Sequence, residues 1–304
     1  MPAALTDDLV LPFQIEGQSL RGRLVRLGAA IDQVLSAHAY PPAVANLLGE
    51  ACTLAALVGA SLKFEGRLIV QAQGDGPVAY VVADFDTDGA LRGYCRFDAD
   101  RVAEVCGAGA VTGARALLGE GVFIMTLDER PDGERRQGVT PIEGETLAFC
   151  AEAYFARTEQ TPTRLRLAVG QADTGDGPHW RAGGLLIQDT AADEPAAGAD
   201  EAWRRAQAFF ETIGEDELID PSIAAETLLW RLFHEDGVRV FETRKLRAFC
   251  RCSEQRIAGV LASFGEAEQA EMVQADGRIR VTCEYCSKVY EVLPEPDAAR
   301  ERIL

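Results

Sequence analysis

RLIVQAQGDGPVAYVVADFDTDGALRGYCRF, residues 67–97, decides the class of fold. Arg67 to Gln73 alternates apolar and polar side chains as a half-buried strand does, and Gly74-Asp75-Gly76-Pro77 is a turn. Val78 to Phe85 is a second strand, Asp86-Thr87-Asp88-Gly89 a second turn, and Leu91 to Phe97 a third strand. Tight turns between successive strands force antiparallel pairing, because a parallel partner needs a long crossover. Working outward, residues 9–26 alternate in the same way and turn at Gly17. Two helices follow, around Ala29 to Ala37 and a longer one opened by Pro41-Pro42. Downstream, strands are predicted at Gly121 to Leu127, Arg164 to Val169 and Gly184 to Gln188, with a helix over Glu145 to Thr158. The expectation is an α+β N-terminal domain with a largely antiparallel sheet, spanning residues 1–190.

The segment from Asp189 to Asp200 has no large apolar residue and reads as a connection. Beyond it Trp203, Ala206, Phe210 and Ile213 share one helical face. Asp220-Pro221 is predicted to open a second helix through Phe233, with the acidic run Glu215-Asp216-Glu217 between the two. Helices this short cannot bury such residues alone, so they must dock on another surface. Residues 191–237 are therefore a helical linker, and residues 238–304 a third, C-terminal piece. In that piece Ser253 caps a helix carrying Ile257, Val260, Leu261 and Phe264 and ended by Gly265. Arg278 to Thr282 and Lys288 to Val292 are predicted strands of a hairpin.

Charge separates these pieces. The chain of 304 residues carries 48 acidic and 30 basic side chains, a net of −18. Residues 191–240 hold 12 acidic against 4 basic groups, whereas residues 241–304 hold 11 against 10. A field of that sign repels phosphates, so no specific nucleic-acid partner is expected. The N-terminus, Met1 to Phe13, has Asp7 and Asp8 and no basic region of a secretory signal. Pro41 to Leu62 is apolar but interrupted by Asn46, Gly49 and Glu50, so it is read as a buried helix and no membrane association is expected. A cytoplasmic, reducing location follows as an expectation, and there paired cysteines signify metal or redox chemistry.

Two thiol pairs stand in the C-terminal piece: Cys250-Arg251-Cys252 and, thirty residues on, Cys283-Glu284-Tyr285-Cys286. Two close pairs across such a gap supply the four thiolates of a tetrahedral zinc site. Four sulfur ligands close the coordination shell and leave no position for a catalytic water. Each pair is also close enough in sequence to close into a disulfide, so oxidation of either removes two ligands. Because metal binding is folding energy in so small a module, thiol oxidation then becomes an unfolding signal. On spacing alone the plainer reading, a zinc that only staples the module, is favoured.

The remaining candidates are weaker. Cys52, Cys95, Cys106 and Cys150 stand singly among apolar residues and read as buried small hydrophobes. His38, His179 and His234 lie far apart in sequence with no local catalytic signature. Gly107-Ala108-Gly109 with Gly113 lacks the lysine of a phosphate loop, and a plain turn is the better reading. Asp84, Asp86 and Asp88 lack the terminal glutamate of a calcium loop and read as a hairpin turn. Arg244, Lys245, Arg247 and Arg251 cluster ahead of the thiols and support a rival reading, a constitutive RNA- or protein-binding module with structural zinc.

The whole chain resembles the redox-regulated bacterial 33 kDa heat shock protein family. The thiol pairs are the most specific mark, and others lie in the first domain: Gly76-Pro77-Val78, Asp84 to Tyr94 (DFDTDGALRGY), Gln137 to Gly144 (QGVTPIEG), Tyr154 to Pro162 (YFARTEQTP) and Gly183 to Gln188 (GGLLIQ). Cys95 departs from the small residue expected after Arg92-Gly93-Tyr94, which leaves open a redox part for the other thiols. The resemblance implies an ATP-independent holdase chaperone and no enzyme activity. It implies that Cys250, Cys252, Cys283 and Cys286 hold one zinc ion in a reduced, inactive form. Oxidation would pair Cys250 with Cys252 and Cys283 with Cys286, release zinc, unfold the linker and expose a surface for unfolding client proteins. The active form is implied to be a homodimer.

Overall fold

In the computed structural model, which describes residues 7–107, 113–130, 133–173, 175, 177–190 and 199–293, two sheets enclose one long apolar helix. The elements run β1 (Leu9–Ile15), β2 (Leu20–Leu27), α1 (Ala29–Leu35), α2 (Pro42–Gly59), β3 (Gly66–Gly74), β4 (Val78–Asp86) and β5 (Ala90–Phe97). Then come α3 (Ala99–Cys106), α4 (Ala114–Leu118), β6 (Gly121–Glu129), β7 (Arg135–Pro141) and α5 (Leu147–Tyr154). The last of these runs into a π-helical turn, Phe155–Glu159, before β8 (Thr163–Asp173) and β9 (Pro178–Asp189). The 67–97 stretch forms the hairpins its pattern predicts, paired from Arg67↔Asp86 to Gln73↔Tyr80 and from Val78↔Phe97 to Phe85↔Leu91.

Three helices follow: α6 (Ala199–Phe210), α7 (Glu215–Ile219) and α8 (Ala225–Phe233). Short strands β10 (Val238–Val240), β11 (Arg244–Lys245) and β12 (Arg247–Ala248) close the first compact unit, which ends at Phe249. Its first sheet has the order β10-β1-β2-β9-β8, with β11 also on β1, and its second the order β12-β5-β4-β3-β6-β7. Every ladder in them is antiparallel except β12 on β5. The second unit, from Cys250, contains α9 (Glu254–Leu261), α10 (Glu266–Met272) and the hairpin β13 (Ile279–Thr282) with β14 (Val289–Val292).

Two apolar clusters explain this layering. The larger surrounds α2, whose Leu48, Ala51, Cys52, Leu54, Ala55, Ala56 and Leu57 are fully buried. By length and composition α2 would cross a membrane, but it is 72% buried here and is a core helix. The smaller cluster lies on the other face of the first sheet. Leu11, Phe13, Leu185 and Ile187 there meet Ala206, Phe210, Ile213, Leu218, Leu229 and Phe233 of the linker helices. The alternating strands of that sheet thus bury both faces, one against α2 and one against the linker.

Several expectations are corrected. The acidic run Glu215-Asp216-Glu217 is not a connection but the first turn of α7, where carboxylates suit a helix N-terminus. Asp220-Pro221 does not open a helix. The Asp220 carboxylate accepts from the Ser222 N–H (2.7 Å) and hydroxyl (2.6 Å) in a local turn, and α8 starts at Ala225. Gly265 does not end α9, which stops at Leu261; it precedes α10, whose Glu268 carboxylate takes its N–H at 2.9 Å. Residues Val238 to Ala248, expected in the C-terminal piece, pair with β1 and β5 and belong to the first unit. β7, α3 and α4 are not among the predicted elements, although α3 is amphipathic and its N-terminus is capped by Asp98. Ala108 and Gly109 of the glycine-rich stretch, and residues 191–198 of the expected connection, lie outside the described residues.

Candidate metal centre

Cys250 and Cys252 arrive on the segment that enters α9. Ser253 caps that helix, accepting from the Arg256 N–H at 3.3 Å, which fixes the chain direction just after the first pair. Cys283 and Cys286 sit in the turn between β13 and β14. Ser287 adopts a left-handed φ of 56°, and its N–H returns to the Cys283 carbonyl at 2.9 Å. The Cys283 N–H meets the Lys288 carbonyl at 2.9 Å, closing the knuckle.

This folding gathers all four sulfurs to within 4.8 Å of one another. The Sγ atoms of Cys250 and Cys283 are 3.6 Å apart, and those of Cys252 and Cys286 are 3.4 Å apart. Four sulfurs about 2.3 Å from a central ion lie roughly 3.8 Å apart along each tetrahedral edge. The donor set and its spacing therefore fit zinc, and the four sequence-predicted ligands come together while the other four cysteines do not join them.

Electrostatics single out Cys252. Burial works to raise its thiol pKa, but the Tyr290 hydroxyl, donating to its sulfur at 3.0 Å, and the three neighbouring thiols outweigh burial and bring it down to about 7. Burial pushes Cys286 up to about 12 and also raises Cys250. Tyr290 was not singled out from sequence. Its only signal is its position one turn beyond the knuckle, at an inward-facing site of β14 where it is 7% exposed. Gln269, 9% exposed, was missed as well; its amide donates to the Leu261 and Phe264 carbonyls and closes the end of α9.

Apart from these groups the unit has little core. Leu261, Ile279 and Tyr290 are its buried large apolar residues among those described, while Val260, Phe264, Met272, Val289 and Leu293 are exposed. So few buried side chains offset little of the entropy of ordering the segment.

The other candidates resolve into structure. Asp84, Asp86 and Asp88 each face an arginine: Arg92 at 2.6 Å, Arg130, and Arg247 at 2.6 Å. Carboxylates so paired are turn and ladder fittings, as expected. His179 meets Asp32 at 3.0 Å, His234 stacks on Trp230, and His38 lies against Tyr40 and Tyr94. Cys52, Cys95 and Cys150 are at most 1% exposed, and burial holds their thiols high and unreactive; Cys106 is half-buried. Of the basic cluster, Arg244 and Lys245 pair in the sheet and Arg247 faces Asp88.

Fold and site together define a mixed α+β protein carrying a small tetrathiol module. The family model described as Hsp33 protein matches residues 8–293. The 33 kDa chaperonin of Caulobacter vibrioides is 67% identical over 288 residues, covering 95% of each chain. That of Aliivibrio fischeri is 36% identical over 279 residues, covering 92% of this chain and 90% of its own. The crystal structure of the 33 kDa chaperonin from Thermotoga maritima superposes with a TM-score of 0.77 at 22% identity, covering 95% of this chain and 96% of that one, and so shares the fold. The chain belongs to the Hsp33 family, a family of chaperones and not of enzymes.

Proposed function

We propose that this chain is a redox-switched, ATP-independent holdase that acts in the cytoplasm. In the reduced state Cys250, Cys252, Cys283 and Cys286 hold one zinc ion as thiolates. A bound zinc ion supplies folding energy to the module and, with its shell closed by four sulfurs, no open position for hydrolysis. Peroxide or hypochlorite joins Cys250 to Cys252 and Cys283 to Cys286. Each bond takes two electrons from a pair of thiols, and one peroxide is reduced to two waters. The observation that carries the reading is the gathering of four sulfurs in a unit with almost no other core. Once the thiolates are spent on disulfides, its side chains cannot keep it folded.

The functional parts are the 1–190 domain, the 191–237 linker and the C-terminal switch piece 238–304, whose opening strands β10 to β12 pair with β1 and β5 of the first unit. The linker supports the second half of the reading. Its Phe210 and Phe233 are buried on the first sheet and Trp230 is 60% exposed, so its release uncovers an apolar sheet face and frees aromatic helices amid strong acid. Such a surface suits unfolding client proteins, and two such surfaces suit a homodimer in the oxidised form.

The experiment compares suppression of aggregation of a thermally unfolding client by reduced and by peroxide-treated protein, with zinc release followed against thiol loss. Activity in the oxidised form alone, with one zinc released per four thiols lost, is expected. Equal activity in both forms, or zinc retained after thiol loss, would sink the proposal.

A further inference from the structure

Two arginines of the first sheet are almost completely buried where the linker docks. Arg26 on β2 and Arg181 on β9 have side chains 3% and 4% exposed. Guanidinium groups are rarely hidden to this degree without full pairing. The pairing here is uneven. The Asp7 carboxylate grips Arg181 with both oxygens, at 2.7 and 2.8 Å, and lies 3.8 Å from the Nε of Arg26. That Nε–H is buried and has no hydrogen-bond partner. Asp220 acts through space on both guanidiniums and Asp8 on Arg181, but the hydrogen bonds of these carboxylates go elsewhere: Asp8 Oδ1 takes the Gly28 and Ala30 N–H groups, and Asp220 Oδ1 takes Ser222.

Three further guanidinium hydrogen bonds go to linker backbone. Arg181 Nε–H donates to the Ile219 carbonyl at 2.7 Å. Arg26 donates to the Glu217 carbonyl at 3.4 Å and to the Asp220 carbonyl. The Glu217 and Ile219 carbonyls belong to the last turn of α7, which the helix itself leaves unpaired, and Asp220 is its C-cap. Gly183 beside Arg181 admits this close approach, since a Cβ there would strike the Leu218 carbonyl. Once the linker lifts, those hydrogens lose their acceptors, but both like charges gain water.

We infer that Asp7, Arg26 and Arg181 form the catch that seats the linker. Asp7, the carboxylate in ion-pair contact with both guanidiniums, is the main group that offsets their charge, with Asp220 and Asp8 acting from further off, and the arginines so held grip the end of α7. They are positioning residues, and the inference rests on the linker release proposed above. It predicts an asymmetry that simple loss of packing does not. Asp7→Asn leaves two buried like charges without their shared counter-ion. Arg181→Gln instead leaves Arg26 and Asp7 as a balanced pair. Removing Arg181 as well as Asp7 therefore relieves part of the damage.

The test uses the full-length, reduced, zinc-loaded protein and tryptic cleavage at the linker sites Arg204, Arg205 and Arg231. Relative to wild type, Asp7→Asn is expected to be cut faster on the order of tenfold or more, the scale of an unpaired buried charge. Arg181→Gln is expected to be cut faster than wild type but more slowly than Asp7→Asn, and the double variant more slowly than Asp7→Asn alone. Amide protection of β3 and β4 is expected to stay at the wild-type level throughout. Wild-type cleavage by Asp7→Asn, or a double variant cut at least as fast as Asp7→Asn, overturns the catch. Should Asp7→Asn not fold, Arg181→Gln still decides, because a wild-type rate in that variant also overturns it. Oxidised wild type is the control: no faster cleavage there refutes the redox reading and leaves the catch to be judged on the reduced variants.

Discussion

Truncating Phe233 to alanine strikes the linker where it is best seated. Phe233 is fully buried, stacked on Phe13 at 5.6 Å and edge-on to Phe209 at 6.4 Å. Removing a buried phenylalanine ring costs about 3–5 kcal/mol, which includes the loss of its aromatic partners. Taken as about 4 kcal/mol, that is roughly a thousandfold in whichever equilibrium the ring stabilises. The linker rests on one face of one sheet, while α2 holds that sheet from the other side through a separate cluster. The penalty should therefore fall on docking and leave the N-terminal core folded. Hydrogen exchange on the reduced, zinc-loaded variant is expected to show α6, α7 and α8 unprotected and β3, β4 and β6 unchanged. On the switch proposed above, the reduced variant should also suppress client aggregation, an activity that the proposal assigns to oxidised wild type alone. Uniform loss of protection across both sheets would refute the reasoning, and so would a linker protected as in wild type.

Cys283→Ser is expected to lose zinc and to unfold the second unit without oxidant, read as loss of module amide protection with the first unit intact. Burial pushes the Glu50 carboxyl up to about 7, against the Leu147 N–H that stabilises its anion. The folded state thus holds a proton that the unfolded chain releases at lower pH. Stability is full below the unfolded carboxylate value and falls as pH rises through 7, by about 1–3 kcal/mol. Glu50→Gln should remove that slope, which denaturant midpoints at pH 6 and pH 8 will show; an unchanged slope would exclude Glu50 as its source. Arg92→Ala leaves the nearly buried Asp84 carboxylate without its guanidinium and is expected to destabilise the first unit by about 3 kcal/mol or more in urea unfolding.

The sequence showed most clearly what is local. The 67–97 hairpins, the capped helix after Ser253 and the knuckle hairpin all depend on contacts a few residues apart, and they stand where expected. The four thiols were legible because each pair shares one turn and their residue type is rare elsewhere in that piece. What escaped depends on distant partners. α7 looks like an acidic loop because its reason to fold is supplied by Arg26 and Arg181, about 190 and 40 residues away. β10, β11 and β12 are two or three residues long, with too few alternations to register as strands. Tyr290 is an ordinary strand aromatic until the fold turns its hydroxyl onto Cys252.

Those short strands bear on how a change in the module reaches the linker. Between Phe233 and Cys250 the chain is tied down three times, by β10 on β1, β11 on β1 and β12 on β5. The last tie is reinforced by Leu246, 5% exposed in the main core, and by Arg247 on Asp88. Each tie has only two or three residue pairs, and most of its side chains are exposed, so each is weak alone. On the switch proposed above, an unfolded module would pull first on β12 and reach α8 only after β12, β11 and β10 had let go in turn. The linker is also held by its own aromatic seat and by the buried charges beneath α7. In the proposed switch, unfolding the module would therefore leave the linker's own seats still to be overcome. Heat, which weakens short ladders and partial seats before it reaches the core around α2, should therefore act together with oxidant rather than in place of it.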